Sequence, residues 1–413
     1  MQTHRRSIIV AGAGPAGMMA AIRAGQLGAD VILLEKNPAP GHKLLLSGKG
    51  RCNLTNACQL DEFLTHFSNG AFLRNAFNKF FNTDLMSFFE DRGLKLKVER
   101  QERVFPLNDR SVSVRDILVS ELAAKKVKLL CKTSIKGINL EGGAISAVML
   151  SDGRSLPCDR LILATGGISY KFTGSTGDGI ELAGKLGHKS EPLRAGLVPL
   201  TAKKEFAFPQ GLTLKNIRLS FKGGRRVLES EIGEMIFTHF GVSGPLIFSA
   251  SGQVVDWILD KQRVIMTIDF KPGLSVQQLE QRLLRDFKTE AKKSIRTVLK
   301  GLLPLAMVDI FISRLGIKPE IKSNQVTALE RQKIVSMMKV FSVEITGSLP
   351  IEEAMVTRGG VSLKEVDPRT MGSRLVKGLY FAGEMIDVDA DTGGFNLQAA
   401  FSTGYLAGES AAS

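Results

Sequence analysis

Gly12, Gly14, Gly17 and Glu35 are the residues whose types and spacing carry the clearest chemistry. They sit in Gly12-Ala13-Gly14-Pro15-Ala16-Gly17, a turn suited to wrapping a pyrophosphate. Gly12 lets the chain double back, Gly14 lets backbone approach phosphate oxygens, and Gly17 lets the next helix pack on its strand. The phosphates then meet a helix N-terminus, where free N–H groups and aligned peptide dipoles favour negative charge. Glu35 follows Gly17 by 18 residues, where a carboxylate can accept hydrogen bonds from a ribose. The same carboxylate repels a 2′-phosphate. FAD and NAD therefore remain as candidate ligands of this turn, and NADP is disfavoured.

These residues need a strand–turn–helix–strand frame, and the flanking sequence predicts one. Ser7 to Val10 is a short apolar run of the kind buried in a parallel sheet. Met18 to Leu27 is rich in Ala, Met, Ile and Leu and reads as a helix. Val31 to Leu34 is a second apolar strand that ends at Glu35.

Further candidate ligand residues lie on loops. Lys36 opens a loop that runs to Gly41. Lys43 to Asn56, with Ser47, Gly48, Gly50, Arg51, Cys52 and Asn53, is too Gly-rich for a helix and too polar for a strand. It is expected as a loop lying on the cofactor. Cys52 and Cys58 raise a redox dithiol, but five residues separate them, and flavin disulfide reductases set such a pair one residue closer. No second dinucleotide fingerprint occurs in mid-chain, so Cys52 is expected as a residue packed near a flavin ring.

Phe72 to Phe89 reads as a helix, Val104 to Leu107 as a loop, and Ser113 to Ala124 as an amphipathic helix. Strands follow at Val127 to Cys131, Ser134 to Leu140 and Ala144 to Leu150, with turns at Gly142-Gly143 and Asp152-Gly153. In this meander, Ile135 is expected to meet adenine through its backbone. Arg160 to Leu163 is a buried strand running into Ala164-Thr165-Gly166-Gly167, where backbone can pass close to a ligand.

The end of the chain returns to the same logic. Gly378 to Phe381 runs into Ala382-Gly383-Glu384, and Asp391-Thr392-Gly393-Gly394-Phe395-Asn396 then opens a helix to about Ala411. Its N-terminus can face the pyrimidine edge of a flavin, where negative charge collects on reduction. NAD alone has no use for this second, distant site, so the tail points to FAD.

Composition sets bounds. The chain has 413 residues, 44% hydrophobic and 23% charged, which predicts a real core and two domains, one of them inserted. No apolar run is long enough for a membrane helix. His4-Arg5-Arg6 before an apolar stretch resembles a signal peptide, but the glycine turn explains the stretch better, so it reads as mature protein. Four cysteines fit a reducing cytoplasm, and five histidines without a Cys/His cluster give no metal site. The net charge of +14 leaves nucleic acid, acidic membrane surfaces and anionic ligands as partners, or a solubility feature.

The predicted organisation is α/β: an FAD-binding domain from residues 1–190 and 346–413, with an inserted domain at 191–345. The insert reads as strands at Gly211 to Phe221, Arg226 to Glu231, Glu234 to Phe237 and Val264 to Phe270, then one amphipathic helix at Leu274 to Lys300. One side of that helix carries Arg282, Arg285, Lys288, Lys292, Lys293 and Arg296. Without interleaved aromatics for stacking bases, it reads as a solvated face.

Taken together, these residues resemble a known family. They are similar to the bacterial flavoproteins grouped with aminoacetone oxidase and the bile-acid 4,6-reductases. The motifs are the first strand–helix–strand, Ser47–Asn56, Ala164–Gly167, Gly174–Gly179, Phe237–Pro245, Val356–Val361 and Ala382–Gln398. Lys171 departs from the proline commoner after Tyr170. The resemblance implies a Rossmann-like FAD-binding domain of the glutathione reductase type, with a β-barrel-like and helical insert capping the flavin.

The expected activity is FAD-dependent reduction of an unsaturated small organic substrate, with NAD(P)H as a transient co-substrate. A proton donor completes such a reduction, and Tyr170 and His239 are the candidates. The backbone of Thr357 to Gly360 is a candidate lining of the flavin. Alternatives are an amine oxidase using oxygen, an RNA-binding flavoprotein akin to tRNA-modifying enzymes, and a flavin-bearing sensor without turnover.

Overall fold

The structure is a computed structural model that describes residues 5–204 and 208–413; His4 lies outside the described residues. The chain forms two compact units, Met1–Gly196 with Ile351–Ser413, and Leu197–Pro350. The sequence-based divisions at 190/191 and 345/346 fall inside the strands Ser190–Gly196 and Phe341–Ser348. A hydrogen-bonded strand moves as one piece, so each division shifts to the strand's end.

The first unit is built on a five-stranded parallel sheet in the order Leu379–Phe381, Arg160–Leu163, Ser7–Ala11 (β1), Asp30–Leu34 (β2), Lys128–Leu130. Its central strands are apolar runs because helices cover both faces. Ile8, Ile9, Val10, Leu161, Ile162 and Leu163 are fully buried. The helix Pro15–Gln26 (α1) packs against the C-terminal helix Phe395–Ala412. Their contact depends on Gly404 and Gly408. A Cβ on Gly404 would stand 2.2 Å from the Ala16 carbonyl oxygen, and one on Gly408 would stand 2.3 Å from that of Ala20.

Three local readings change. Phe72 to Phe89 is two helices, Gly70–Lys79 and Asn82–Glu90. The Asp84 carboxylate accepts the Phe81 N–H at 2.8 Å and starts the second helix. Phe81 meanwhile packs edge-on to Phe63. Val104 to Leu107 is mostly strand, Arg103–Pro106, because it pairs with Thr55–Asn56 on one side and Leu96–Val98 on the other. The Lys43 to Asn56 loop begins with a short helix, His42–Leu46, and a 3-10 turn, Ser47–Gly50.

The second unit contains a seven-stranded antiparallel sheet. Thr213–Gly223 pairs with both Gly233–Phe237 and Val264–Asp269, which closes six strands into a barrel and leaves Arg226–Glu229 as an added hairpin strand. Helices Pro245–Leu259, Leu305–Leu315 and Ala328–Lys339 and the strand Phe341–Ser348 were not legible in the sequence. The single helix read at Leu274 to Lys300 is two, Val276–Thr289 and Ile295–Leu299. Each starts at its own serine cap, Ser275 accepting from Gln278 N–H and Ser294 from Thr297 N–H. Among the described residues no helix is long and apolar enough to cross a membrane.

Gly404→Val tests the helix–helix contact. The backbones must separate, and the variant is expected to lose about 1–3 kcal/mol of stability in urea unfolding. An unchanged midpoint would show that the contact tolerates a side chain.

Candidate functional site

The glycine turn lies between β1 and α1. Gly12 has φ +98°, and a Cβ there would meet the Ala164 carbonyl oxygen at 2.5 Å. A Cβ on Gly17 would stand 1.8 Å from the Gly12 carbonyl oxygen. These two glycines serve the packing of the turn itself. Gly14 differs: its backbone is extended, and nothing lies within 4 Å of where its Cβ would be. The polypeptide alone gives no reason for glycine there. Gly14 also caps α1 without any side-chain hydrogen bond, and Pro15 occupies the first turn. Open space beside an uncapped helix N-terminus suits a pyrophosphate.

Glu35 is buried at 7% exposure and braces this turn. Its Oε2 accepts the Ala13 N–H at 2.9 Å, and its Oε1 accepts the Asn37 N–H at 2.8 Å. Two bonds leave acceptor capacity on the carboxylate for ribose hydroxyls. Thr165, just past the Arg160–Leu163 strand, has a buried hydroxyl with no partner among the described residues, set against Gly179. The residues of this turn therefore fit a dinucleotide.

A second cluster joins segments far apart in sequence. Lys43 Nζ donates to Glu384 at 2.6 and 2.8 Å and to Ser169 Oγ at 2.7 Å. Glu384 Oε1 also accepts the Thr357 N–H at 2.7 Å and the Ser169 hydroxyl at 2.9 Å. Thr357 Oγ1 accepts the N–H groups of Ile168 and Ser169 at 2.8 and 3.0 Å. A Cβ on Gly167 would stand 2.2 Å from that oxygen, so Thr357 occupies the room the glycine leaves. Sequence reasoning missed Ser169 and gave Thr357 a backbone role alone. The only signal was their place in the glycine-rich Ala164–Gly167 and Val356–Val361 segments.

The third cluster is the start of the C-terminal helix, capped by Gly394 at φ +100° with no side-chain bond. A Cβ on Gly394 would meet the Thr55 carbonyl oxygen at 2.3 Å, so the turn fits closely over that strand. With its amide oriented to satisfy its neighbours, Asn53 accepts the Gly394 N–H at 3.0 Å. Asn396 ties the turn together by accepting the Ala390 N–H at 3.0 Å and donating to the Ala390 carbonyl at 2.9 Å. Three aspartates before the helix each meet one residue of a facing segment. Asp391 pairs with His66 at 3.1 Å, Asp389 accepts the Ser68 hydroxyl at 2.8 Å, and Asp387 accepts from Asn69 at 3.3 Å. Burial, then the neighbouring Asp389 and Glu191, raise the Asp387 carboxyl above its ordinary range.

Several expected ligand residues are otherwise engaged. The Phe395 ring is buried in the core, edge-on to Phe63 at 4.8 Å and stacked on His66 at 4.0 Å, so only its backbone belongs to the helix start. Arg51 pairs with Glu99 and with Asp109 at 2.7 Å and lies 4.1 Å over the Phe105 ring. Those two acids raise its pKa. Lys36 binds Thr176 and, at 2.8 Å, Asp178. Ser47 donates to the Leu44 carbonyl at 2.6 Å, and Gly48 and Gly50 take left-handed conformations in the turn that follows. Ile135 is half-buried at the start of the strand Ile135–Glu141. Ala16 packs beside Gly383, whose Cβ would stand 2.8 Å from its own. Gly393 is held at φ +139° next to the Phe395 ring.

The cysteines are free thiols. Cys52 is fully buried, and desolvation pushes its thiol up to about 12. Burial, then Glu62 and Glu102, push Cys58 up to about 11. A thiol that stays protonated is a poor nucleophile and a poor redox partner. The ligand atoms of Cys58, Glu62 and Glu102 lie within 4.8 Å of one another, the one such group among the described residues. Tyr170, at φ +50°, sits on the loop beside Ser169. Burial, then Glu353, hold its hydroxyl above the ordinary tyrosine value. His239 is exposed on the second unit, edge-on to Phe240.

The model of the HI0933-like protein Rossmann domain matches residues 6–410. The chain belongs to that family. It is 32% identical over 406 residues to the 3-dehydro-bile acid delta(4,6)-reductase of Clostridium scindens, covering 98% of each chain. It is 29% identical over 407 residues to the ribosomal RNA dihydrouridine synthase of Escherichia coli, covering 97% of each. Among solved structures, a 3-ketosteroid delta1-dehydrogenase from Sterolibacterium denitrificans shares the fold, with a TM-score of 0.54, 14% identity, and coverage of 99% of this chain and 100% of that one. The fold is the Rossmann-like FAD-binding fold, and this HI0933-like protein is an FAD-dependent oxidoreductase.

Two measurements follow from this geometry. A Cβ at Gly14 meets no protein atom, so Gly14→Val should keep its cooperative unfolding yet bind FAD at least about tenfold more weakly, a loss of roughly 1.4 kcal/mol. Tight FAD binding by the variant, read by flavin fluorescence, would remove Gly14 from the cofactor site. Because only a very small fraction of a thiol is ionised several units below its pKa, Cys52 and Cys58 should resist a disulfide-exchange reagent at pH 8 in the folded protein. Rapid labelling of either, identified by peptide mass, would restore the dithiol reading.

Proposed function

We propose that this protein uses bound FAD to saturate a carbon–carbon double bond conjugated with a carbonyl, taking electrons from NADH or NADPH. What carries the reading is likeness along nearly the whole chain to two proteins named for such saturations on unlike molecules. One name is 3-dehydro-bile acid delta(4,6)-reductase and the other ribosomal RNA dihydrouridine synthase. The bond change is common to them, and the substrate is not.

When bound, FAD supplies hydride uptake and delivery, the hard chemistry of the reaction. The polypeptide's own part is holding and protonation. Gly14 and the start of α1 would hold the pyrophosphate, and Glu35 the ribose. The uncapped turn at Gly394 would bring N–H groups to the flavin edge that becomes negative. Lys43 is held by Glu384 and Ser169, so its ammonium is fixed in place. Tyr170 keeps its proton at neutral pH and is the assigned donor to the carbon next to the carbonyl, with His239 as the alternative. The nicotinamide binds transiently, since the chain has no second glycine fingerprint. The four free thiols fit a reducing cytoplasm.

A second reading takes a uracil in ribosomal RNA as the substrate. The net charge of +14 favours it, since phosphate-bearing substrates are drawn to such a field.

The test is anaerobic. NADH or NADPH should bleach the flavin, and a 3-keto-4,6-diene steroid or a uridine-containing ribosomal RNA fragment should restore its colour with saturation of the double bond. Tyr170→Phe should leave bleaching intact and slow recolouring by about 10²–10⁴-fold. Recolouring by oxygen alone, with peroxide formed and neither acceptor changed, would overturn the proposal.

A further inference from the structure

We propose that the basic face of the helix Val276–Thr289, continued through Lys300, grips the phosphate backbone of a folded RNA. The inference rests on the RNA reading above and names the surface that reading requires.

Charge is unevenly shared between the two units. Residues 197–350 hold 23 Lys and Arg against 14 Asp and Glu, an excess of nine out of the chain's +14. Within this unit the cations concentrate on one stretch. Leu279, Leu283 and Phe287 bury one side of the helix. That packing turns Arg282, Arg285 and Lys288 outward, and Lys292, Lys293, Arg296 and Lys300 are exposed after them. Three of the seven are matched: Arg282 to Asp286 at 3.0 Å, Lys293 to Glu290 at 2.5 Å, and Arg296 to Asp309 at 2.7 Å. Arg285, Lys288 and Lys292 have no acid partner among the described residues, while Lys300 joins Arg296 in holding the Asp309 carboxyl below its ordinary range. Burial, and after it the nearby Arg282, hold Lys271 below the usual lysine range.

A face that serves only solubility mixes charges of both signs. This one leaves three cations unmatched and adds a groove. Leu274, Gln278, Gln281, Arg282, Leu284 and Arg285 line an open depression along the helix. Its glutamine amides can donate to phosphate and 2′-hydroxyl oxygens. The sequence showed no aromatics among the cations, which argues against single strands, because those are held by stacking. Helical RNA is recognised differently, through its phosphates and 2′-hydroxyls. Lack of aromatics therefore selects folded RNA as the partner of this face.

The experiment uses the full-length, FAD-loaded protein and a ribosomal RNA hairpin, with binding followed by fluorescence anisotropy from 50 to 300 mM salt. Wild type should lose affinity steeply with salt. Arg285→Gln/Lys288→Gln/Lys292→Gln should bind at least about tenfold more weakly at low salt, with a salt slope smaller by about three. Its flavin content and its bleaching by NAD(P)H should match wild type, since these residues lie outside the FAD unit. Equal RNA affinity and slope in wild type and variant would place RNA elsewhere and overturn this inference while leaving the RNA reading intact. No RNA binding by wild type even at 50 mM salt would overturn both. Salt-dependent binding to anionic phospholipid vesicles in place of RNA would make the face a membrane contact and overturn the inference as well.

Discussion

Backbone-to-backbone contact between α1 and the C-terminal helix is the constraint on which the first unit depends. Gly404 and Gly408 carry no side chain, so the last helix lies directly against the carbonyls of Ala16 and Ala20. The residue at one of those contacts, Ala16, is also part of the glycine turn. The close approach thus fixes the end of the chain to the wall of the dinucleotide site. Gly383 meets Ala16 for the same reason, and the Gly383 N–H is accepted by Thr403 on the same helix at 2.9 Å. Side-chain bulk at these points would separate the two ends of the site.

From that contact the polar clusters follow. The Leu379–Phe381 strand leads into Gly383-Glu384, which places a carboxylate where Lys43, Ser169 and Thr357 converge. Lys43 and Glu384 are each about a quarter exposed, so their attraction is partly screened by solvent. Its value lies less in net stability than in fixing four groups from four segments in one arrangement. The aspartates at 387, 389 and 391 do similar work by fastening the loop before the last helix to the His66–Asn69 segment.

Electrostatics divides labour between the units. In the first, the Glu35 and Glu384 carboxylates are turned inward to accept backbone N–H groups of the candidate site. In the second, the apolar side chains of a closed barrel and its helices take the interior, and unmatched cations gather on the surface of one helix. The first arrangement suits one family-wide cofactor.

The sequence by itself determined the strand–glycine turn–helix–strand, because glycine spacing, strand, helix and acid are all local and adjacent. It also determined the helix start at Gly394 and the parallel character of the main sheet, since fully apolar short runs need cover on both faces. Local pattern failed where capping or partners decide. One continuous apolar stripe over Leu274 to Lys300 hid a serine cap at Ser294, and the short run at Arg103–Pro106 became a strand only because two others flank it. Tertiary structure alone decided that Phe395 belongs to the core, that Arg51 is claimed by Glu99 and Asp109, and that Ser169 joins Lys43 and Glu384. Each of those facts depends on contacts between residues more than forty positions apart, which no local pattern encodes.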